Sequence, residues 1–188
     1  MLSKKYTVLV DMDDVMIDTL YAWVDALNFQ YGTSVDPSDI VDWGMAPFFK
    51  ELSADQVYYP LYDPAFWATV KPKQGAQEYV SRLIGDGYRV IVVTATDPAT
   101  AGYKFRSAIY PYFKEIASKD IVISYDKSIV NGDVIVDDCF RNLVSFGNGC
   151  KKIMFDAPHN RKHDEDMFGM YRAHNWQEVY NYIITNFS

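Results

Sequence analysis

The chain has 188 residues, 49% hydrophobic and 23% charged, which suits one full core with at most a small second unit and is too apolar for disorder. Its net charge of −7 excludes a broad basic surface for a nucleic-acid polymer or an anionic membrane, leaving small anionic substrates whose charge a metal and local cations would offset. Cys139 and Cys150 form neither a zinc spacing nor a disulfide framework, the His residues offer no metal spacing, and with no signal peptide or long apolar run the expected location is the cytoplasm.

The run Tyr6-Thr7-Val8-Leu9-Val10 reads as a buried strand that ends abruptly in Asp11, Asp13 and Asp14. Side chains at i and i+2 of an extended segment point the same way, so Asp11 and Asp13 face one site. Like charges that close raise each other's pKa or need a cation between them. Residues 19–31 predict a helix with Leu20, Trp23, Val24 and Leu27 on one side, closed by Gly32. Residues 34–70 change character: they are rich in aromatics, and Pro37, Pro47, Pro60 and Pro64 keep any helix short. Such a piece reads as an insertion over the main unit, with a helical cap at 17–70 and a core at 1–16 and 71–188.

From Lys71-Pro72 onward an α/β rhythm returns. A helix over 74–85 leads to a strand over 89–93. Asp97 as N-cap and Pro98 at the first helical position start a helix that runs to Tyr112. Strands follow at 121–124 and 134–136, then a helix over 140–146, a strand over 152–155 and a last helix over 177–185 capped by Asn175. Alternation over this length predicts an α/β fold, a Rossmann-like parallel sheet with helices on both faces. Trp43 and Trp176 read as packing residues and His159-Asn160-Arg161 as a structural loop; His163 and His174 receive no role.

In open α/β sheets ligands sit outside the carboxyl ends of the strands. Those ends carry Asp11 and Asp13, then Thr94, then Asp126-Lys127, then Asp137-Asp138. Hard oxygen ligands beside a hydroxyl and a lysine suit magnesium and a phosphoryl group. In this order they resemble the haloacid dehalogenase-like phosphohydrolases. Val10-Asp11-Met12-Asp13-x-Val15, Tyr62-x-x-x-Phe66-Trp67, Lys71-Pro72-x-x-Gly75-Ala76, Asp126-Lys127-Ser128, Ile135-Val136-Asp137-Asp138 and Phe155-x-x-x-His159-Asn160-Arg161 narrow the resemblance to the 5′(3′)-deoxyribonucleotidase branch.

That resemblance implies a HAD-like core and a Mg2+-dependent phosphomonoesterase for nucleoside monophosphates. It assigns Asp11 as nucleophile and Asp13 as general acid and base. The metal would be held by Asp11, the backbone carbonyl of Asp13 and Asp138, with Asp137 supporting. Thr94 would bond a phosphate oxygen and Lys127 would offset charge. Phe48, Phe49, Tyr62, Phe66 and Trp67 would form an aromatic wall for a base, with Tyr62 the leading substrate contact. Exposed aromatics in the cap are also compatible with a homodimer interface. The chain departs from the family pattern at Asp14, where many relatives carry Gly, at Ala95 beside Thr94, and at Tyr125, where nucleotidases of this branch often carry Arg. The rival readings are a phosphatase for another small ester such as a sugar phosphate, a receiver-type phospho-acceptor module, and a catalytically silent binding protein.

Overall fold

The computed structural model describes residues 6–187, so the outermost ends of the predicted core, residues 1–5 and 188, lie outside it. Six strands form one sheet in the order β3-β2-β1-β4-β5-β6, with every pairing parallel. They are β1 (Thr7–Val10), β2 (Arg89–Thr94), β3 (Ile121–Ile123), β4 (Val134–Asp137), β5 (Lys151–Phe155) and β6 (Tyr171–Ala173). A receiver-type sheet runs in the order 2-1-3-4-5, so the topology removes that rival.

The central strands are near-continuous β-branched runs because both faces are covered. The even positions Val8, Val10, Val90, Val92, Val134 and Val136 enter one apolar cluster, and the odd positions Leu9, Ile91, Val93 and Ile135 enter the other. β1 lies between β2 and β4, where the strand order reverses, so its carboxyl end opens into the crevice between the two halves.

Between β1 and α4 (Ala76–Gly85) the chain makes α1 (Thr19–Tyr31), α2 (Ala54–Tyr58) and α3 (Pro64–Thr69), joined by short 3-10 turns. Gly32 ends α1 in the left-handed conformation, and its N–H donates to the carbonyl of Asn28. Leu20, Val24 and Leu27 pack against Ile40, Met45, Phe49 and Val57 in a small core of their own. Phe66, Trp67 and Val70 instead join the main core. Where the segment leaves and rejoins the sheet its two chain crossings are bonded: Asp18 N–H donates to Lys71 O at 2.8 Å and Lys73 N–H to Met16 O at 2.9 Å.

After β2 the predicted long helix breaks in two. Asp97 accepts from Ala99 N–H and starts α5 (Pro98–Lys104), after which Phe105–Ile109 widens into a π-turn that buries Phe105, Ala108 and Ile109. α6 (Phe140–Ser145) and α7 (Trp176–Asn186) complete the covering layers, and Asn175 caps α7 by accepting from Glu178 N–H. Trp176 is fully buried and donates from its indole to Val15 O at 2.8 Å, which pins the loop after β1. Among the described residues no helix is long and apolar enough to cross a membrane.

Gly132 lies before β4 against the side chain of Leu9 on β1, and a Cβ there would fall 2.5 Å from Leu9 Cγ. Gly132→Ala should therefore cost about 1–3 kcal/mol through overpacking. The check is the urea midpoint at unchanged slope; a midpoint equal to the wild type would contradict this packing.

Candidate active site

Asp11 follows β1 directly, and its N–H donates to Val136 O at 2.8 Å, so the pairing of β1 with β4 extends through it. Oδ1 of its carboxylate accepts from Met12 N–H at 2.6 Å and from Lys127 Nζ at 2.7 Å. Lys127 also reaches Asp137 Oδ2 at 2.7 Å, and all three groups are buried. Asp137 is saturated by protein: Oδ1 accepts from Cys139 N–H, and the Asn142 amide reaches both oxygens. Asp138 is not saturated. Its Oδ1 is buried without a hydrogen-bond partner, and Oδ2 has only His159 Nε2 at 2.8 Å, without hydrogen-bond geometry.

Carboxylate oxygens of Asp11, Asp137 and Asp138 lie within 4.8 Å of one another. Hard oxygen donors gathered this closely, one of them orphaned, fit a divalent cation. Because both oxygens of Asp137 are engaged, Asp11 and Asp138 are the members free to ligate.

The electrostatics agree. Burial pushes the Asp11 carboxyl well above the usual carboxylate range; Lys127 opposes this, and Asp137, Asp138 and Asp13 reinforce it. Burial and then Asp137 raise Asp138 to about 7. Burial alone would lower the Lys127 ammonium, but the charges of Asp11 and Asp137 more than reverse it. Burial keeps His159 below its ordinary value and so neutral at neutral pH.

Asp13 is gripped on both oxygens. Thr19 Oγ1 donates to Oδ1 at 2.7 Å and Lys104 Nζ to Oδ2 at 2.6 Å. Asp14 takes φ +56°, a left-handed conformation that favours glycine and that Asp tolerates better than most residues. Its Oδ1 accepts from Leu20 N–H at 2.8 Å and so caps the first turn of α1.

A cavity of about 390 Å³ opens over these groups, and Asp11, Asp13, Asp14, Lys127 and Asp138 line it. The sequence-predicted residues divide around it. Tyr62 and Trp67 line it; the Tyr62 hydroxyl lies 3.5 Å from Asp97 Oδ2, at the limit of a hydrogen bond. Thr94 ends β2 fully buried, off the cavity wall, with an unpartnered hydroxyl. Phe48, Phe49 and Phe66 do not line the cavity, which corrects the expected aromatic wall. Phe49 is in the small core, Phe48 packs against that core, and Phe66 lies in the main one. A short, proline-interrupted segment needs apolar side chains for its own packing, and Phe48 and Phe49 are spent there while Phe66 anchors the segment to the main core. Trp43 corrects the packing expectation in the other direction: it is 53% exposed and lines the cavity, as do Trp23 and Tyr58. Tyr125 is 74% exposed and off the cavity, whereas Ala95 lines it.

Lys104 is not singled out by sequence reasoning, and His159 reads there only as part of a structural loop. Lys104 follows the cavity residue Thr100 by one helical turn, so the two share a face. Asn160 is buried and donates to Asp138 O at 2.9 Å and Phe155 O at 2.7 Å, which makes the His159-Asn160 loop a brace for the β4 end.

Asp138 gives a pH prediction for metal-depleted protein. Its folded pKa of about 7 lies above the ordinary 3.8, so across that window the unfolded chain binds fewer protons than the folded one. Stability contributed by this group therefore falls as pH rises through the window. A divalent cation offsets the released charge. Adding millimolar Mg2+ to chelator-treated protein should raise Tm more near pH 8 than near pH 5. Equal shifts at both would contradict the assignment of Asp138 as a ligand.

Comparison with known proteins places these features in a family. Residues 5–187 match the family described as 5′ nucleotidase, deoxy (pyrimidine), cytosolic type C. A Bacillus subtilis protein named 5′(3′)-deoxyribonucleotidase is 29% identical over 175 residues, 93% of this chain and 96% of that protein. A Clostridium acetobutylicum protein of the same name is 28% identical over 176 residues, 93% of each. Among solved structures, a haloacid dehalogenase-like hydrolase from Streptococcus pneumoniae superposes with a TM-score of 0.67 at 16% identity, covering 97% of this chain and 100% of that one. A hydrolase of that kind from Deinococcus radiodurans, solved with bound phosphate and sodium, gives 0.59 at 17% identity over 97% of each chain. With nearly its whole length matched, the chain belongs to the 5′ nucleotidase, deoxy (pyrimidine), cytosolic type C family of phosphoric monoester hydrolases, and it shares its fold with haloacid dehalogenase-like hydrolases.

Proposed function

We propose that the protein is a Mg2+-dependent phosphomonoesterase that removes phosphate from nucleoside monophosphates, deoxyribonucleotides first, through an aspartyl-phosphate on Asp11. The observation that carries this is the pairing of Asp11, whose known donors both fall on Oδ1, with Asp138, whose Oδ1 is buried and unpartnered. The shared name of the Bacillus and Clostridium relatives supports the substrate class.

When bound, Mg2+ would act as a Lewis acid that neutralises phosphoryl charge, held by Asp11, Asp138 and the backbone carbonyl of Asp13, with Asp137 bracing Lys127. Asp11 attacks phosphorus: a P–O bond to its carboxylate forms, the ester P–O bond breaks, and Asp13 passes a proton to the departing nucleoside oxygen. Asp13 then takes a proton from water as that water attacks phosphorus. The P–O bond to Asp11 breaks, phosphate leaves and the free carboxylate returns. Lys127 stays 2.7 Å from Asp11 Oδ1 and offsets charge on nucleophile and phosphoryl group alike. The Thr94 hydroxyl, buried off the cavity wall and unpartnered, is the donor this reading assigns to a phosphate oxygen.

Residues 17–70 act in this reading as a cap over the leaving group. Its cavity face is aromatic, with Trp23, Trp43, Tyr58, Tyr62 and Trp67. That suits a flat base better than a bare sugar, since stacking is worth about 1–3 kcal/mol per base.

The test is phosphate release from a panel of nucleoside monophosphates and sugar phosphates, with Mg2+ and with EDTA. Nucleotides should lead, and EDTA should abolish turnover. Asp11→Asn should leave no measurable activity, while Tyr62→Ala should lower kcat/KM for nucleotides about tenfold, the equivalent of 1.4 kcal/mol. Sugar phosphates outrunning every nucleotide would overturn the substrate class, and near-normal activity in Asp11→Asn would overturn the mechanism.

A further inference from the structure

Lys104 is the last residue of α5, is only 3% exposed, and gives its ammonium to a single carboxylate, Asp13. Burying a lysine costs free energy unless its charge is met, and the partner it meets is only half-buried, on the loop after β1. A cation held this way contributes little to folding by itself, so its value lies in what it does to Asp13. The two oxygens of that carboxylate are held from separate elements, Oδ1 by Thr19 on α1 and Oδ2 by Lys104 on α5. Neither holder is on the loop that carries Asp13. Both remaining torsions of the side chain are thereby fixed, and the carboxyl faces the cavity in one orientation. The Lys104 ammonium also lies 4.7 Å from the centre of the Trp67 ring, a cation–π distance. Trp67 is on α3, in the segment that covers the cavity, so one side chain joins that segment to Asp13.

We propose that Lys104 is a positioning residue for the reaction: it holds the Asp13 carboxyl toward the leaving-group oxygen and links that geometry to Trp67. The inference rests on the proposed function, in which Asp13 protonates the leaving group. Its consequence is selective. A displaced acid harms esters whose alcohol needs the proton and spares esters whose leaving group departs as a stable anion.

The experiment compares wild type and Lys104→Met on the best nucleotide of the panel and on p-nitrophenyl phosphate, whose phenolate needs no proton. On the nucleotide, kcat should fall about 100-fold, the lower bound for loss of a general acid, with KM within about threefold. On p-nitrophenyl phosphate, kcat/KM, which reports only the steps through departure of the phenolate and not the later water attack that Asp13 also serves, should fall less than about fivefold. Lys104→Ala keeps the test sharp: adding ethylammonium should restore kcat/KM for the nucleotide by about tenfold without changing kcat/KM for the aryl ester. Equal losses of kcat/KM on both esters, a loss confined to KM on the nucleotide, or failure of both variants to melt cooperatively would overturn the proposal and leave Lys104 as a structural anchor. Wild-type protein inert on every nucleotide would instead overturn the proposed function itself, and this inference with it.

Discussion

The site is built around one buried ammonium. Lys127 sits 2.7 Å from both Asp11 and Asp137, which come from the ends of the adjacent strands β1 and β4. Removing one partner of such an arrangement typically costs 3–5 kcal/mol, because a buried charge is left without compensation. The arrangement also decides what the other groups can do. It occupies Asp11 Oδ1 and, with Cys139 N–H and Asn142, both oxygens of Asp137. The carboxylate left with a buried, unpartnered oxygen is Asp138. Asp11, Asp13, Asp14, Asp137 and Asp138 still outnumber the nearby ammonium groups Lys73, Lys104 and Lys127, and burial, reinforced by Asp137, raises the pKa of Asp138. A bound divalent cation would offset that excess of negative charge.

Much of this was legible from strand ends. The β-branched runs around Leu9, Val92 and Ile135 predict buried parallel strands, and the sheet contains them in parallel register. The acidic pairs are where a parallel sheet delivers ligands, because an i, i+2 spacing and an abrupt end to an apolar run are local signals. β6 was not legible. Tyr171-Arg172-Ala173 is too short to show a period and pairs only at the sheet edge with β5. The π-turn after Lys104 was also hidden, since a helical apolar pattern continues through it.

The cavity wall was the hardest part to read, for a physical reason. Aromatic residues in a short segment serve two needs, packing and ligand contact, and composition does not separate them. Phe49 and Phe66 went to the cores, and Trp43, read as packing, lines the cavity instead. Lys104 and His159 act through side chains from distant elements, so their partners Asp13 and Asp138 appear only once the chain is folded. Asp14 was visible as a departure without a reason. Its backbone is left-handed, a conformation that favours glycine, and its bond to Leu20 N–H explains how a carboxylate is accommodated. Lys127 and Lys104 are the buried ammonium groups on the cavity wall among the described residues.

The central claim is that Asp11 itself carries phosphate during turnover. The most direct test is rapid acid quenching of the protein with a 5′-32P-labelled deoxyribonucleotide, followed by peptide mapping. The account predicts hydroxylamine-labile label on the peptide that contains Asp11, absent from Asp11→Asn. Steady turnover with no protein-bound label at any quench time, or label on another residue, would contradict it.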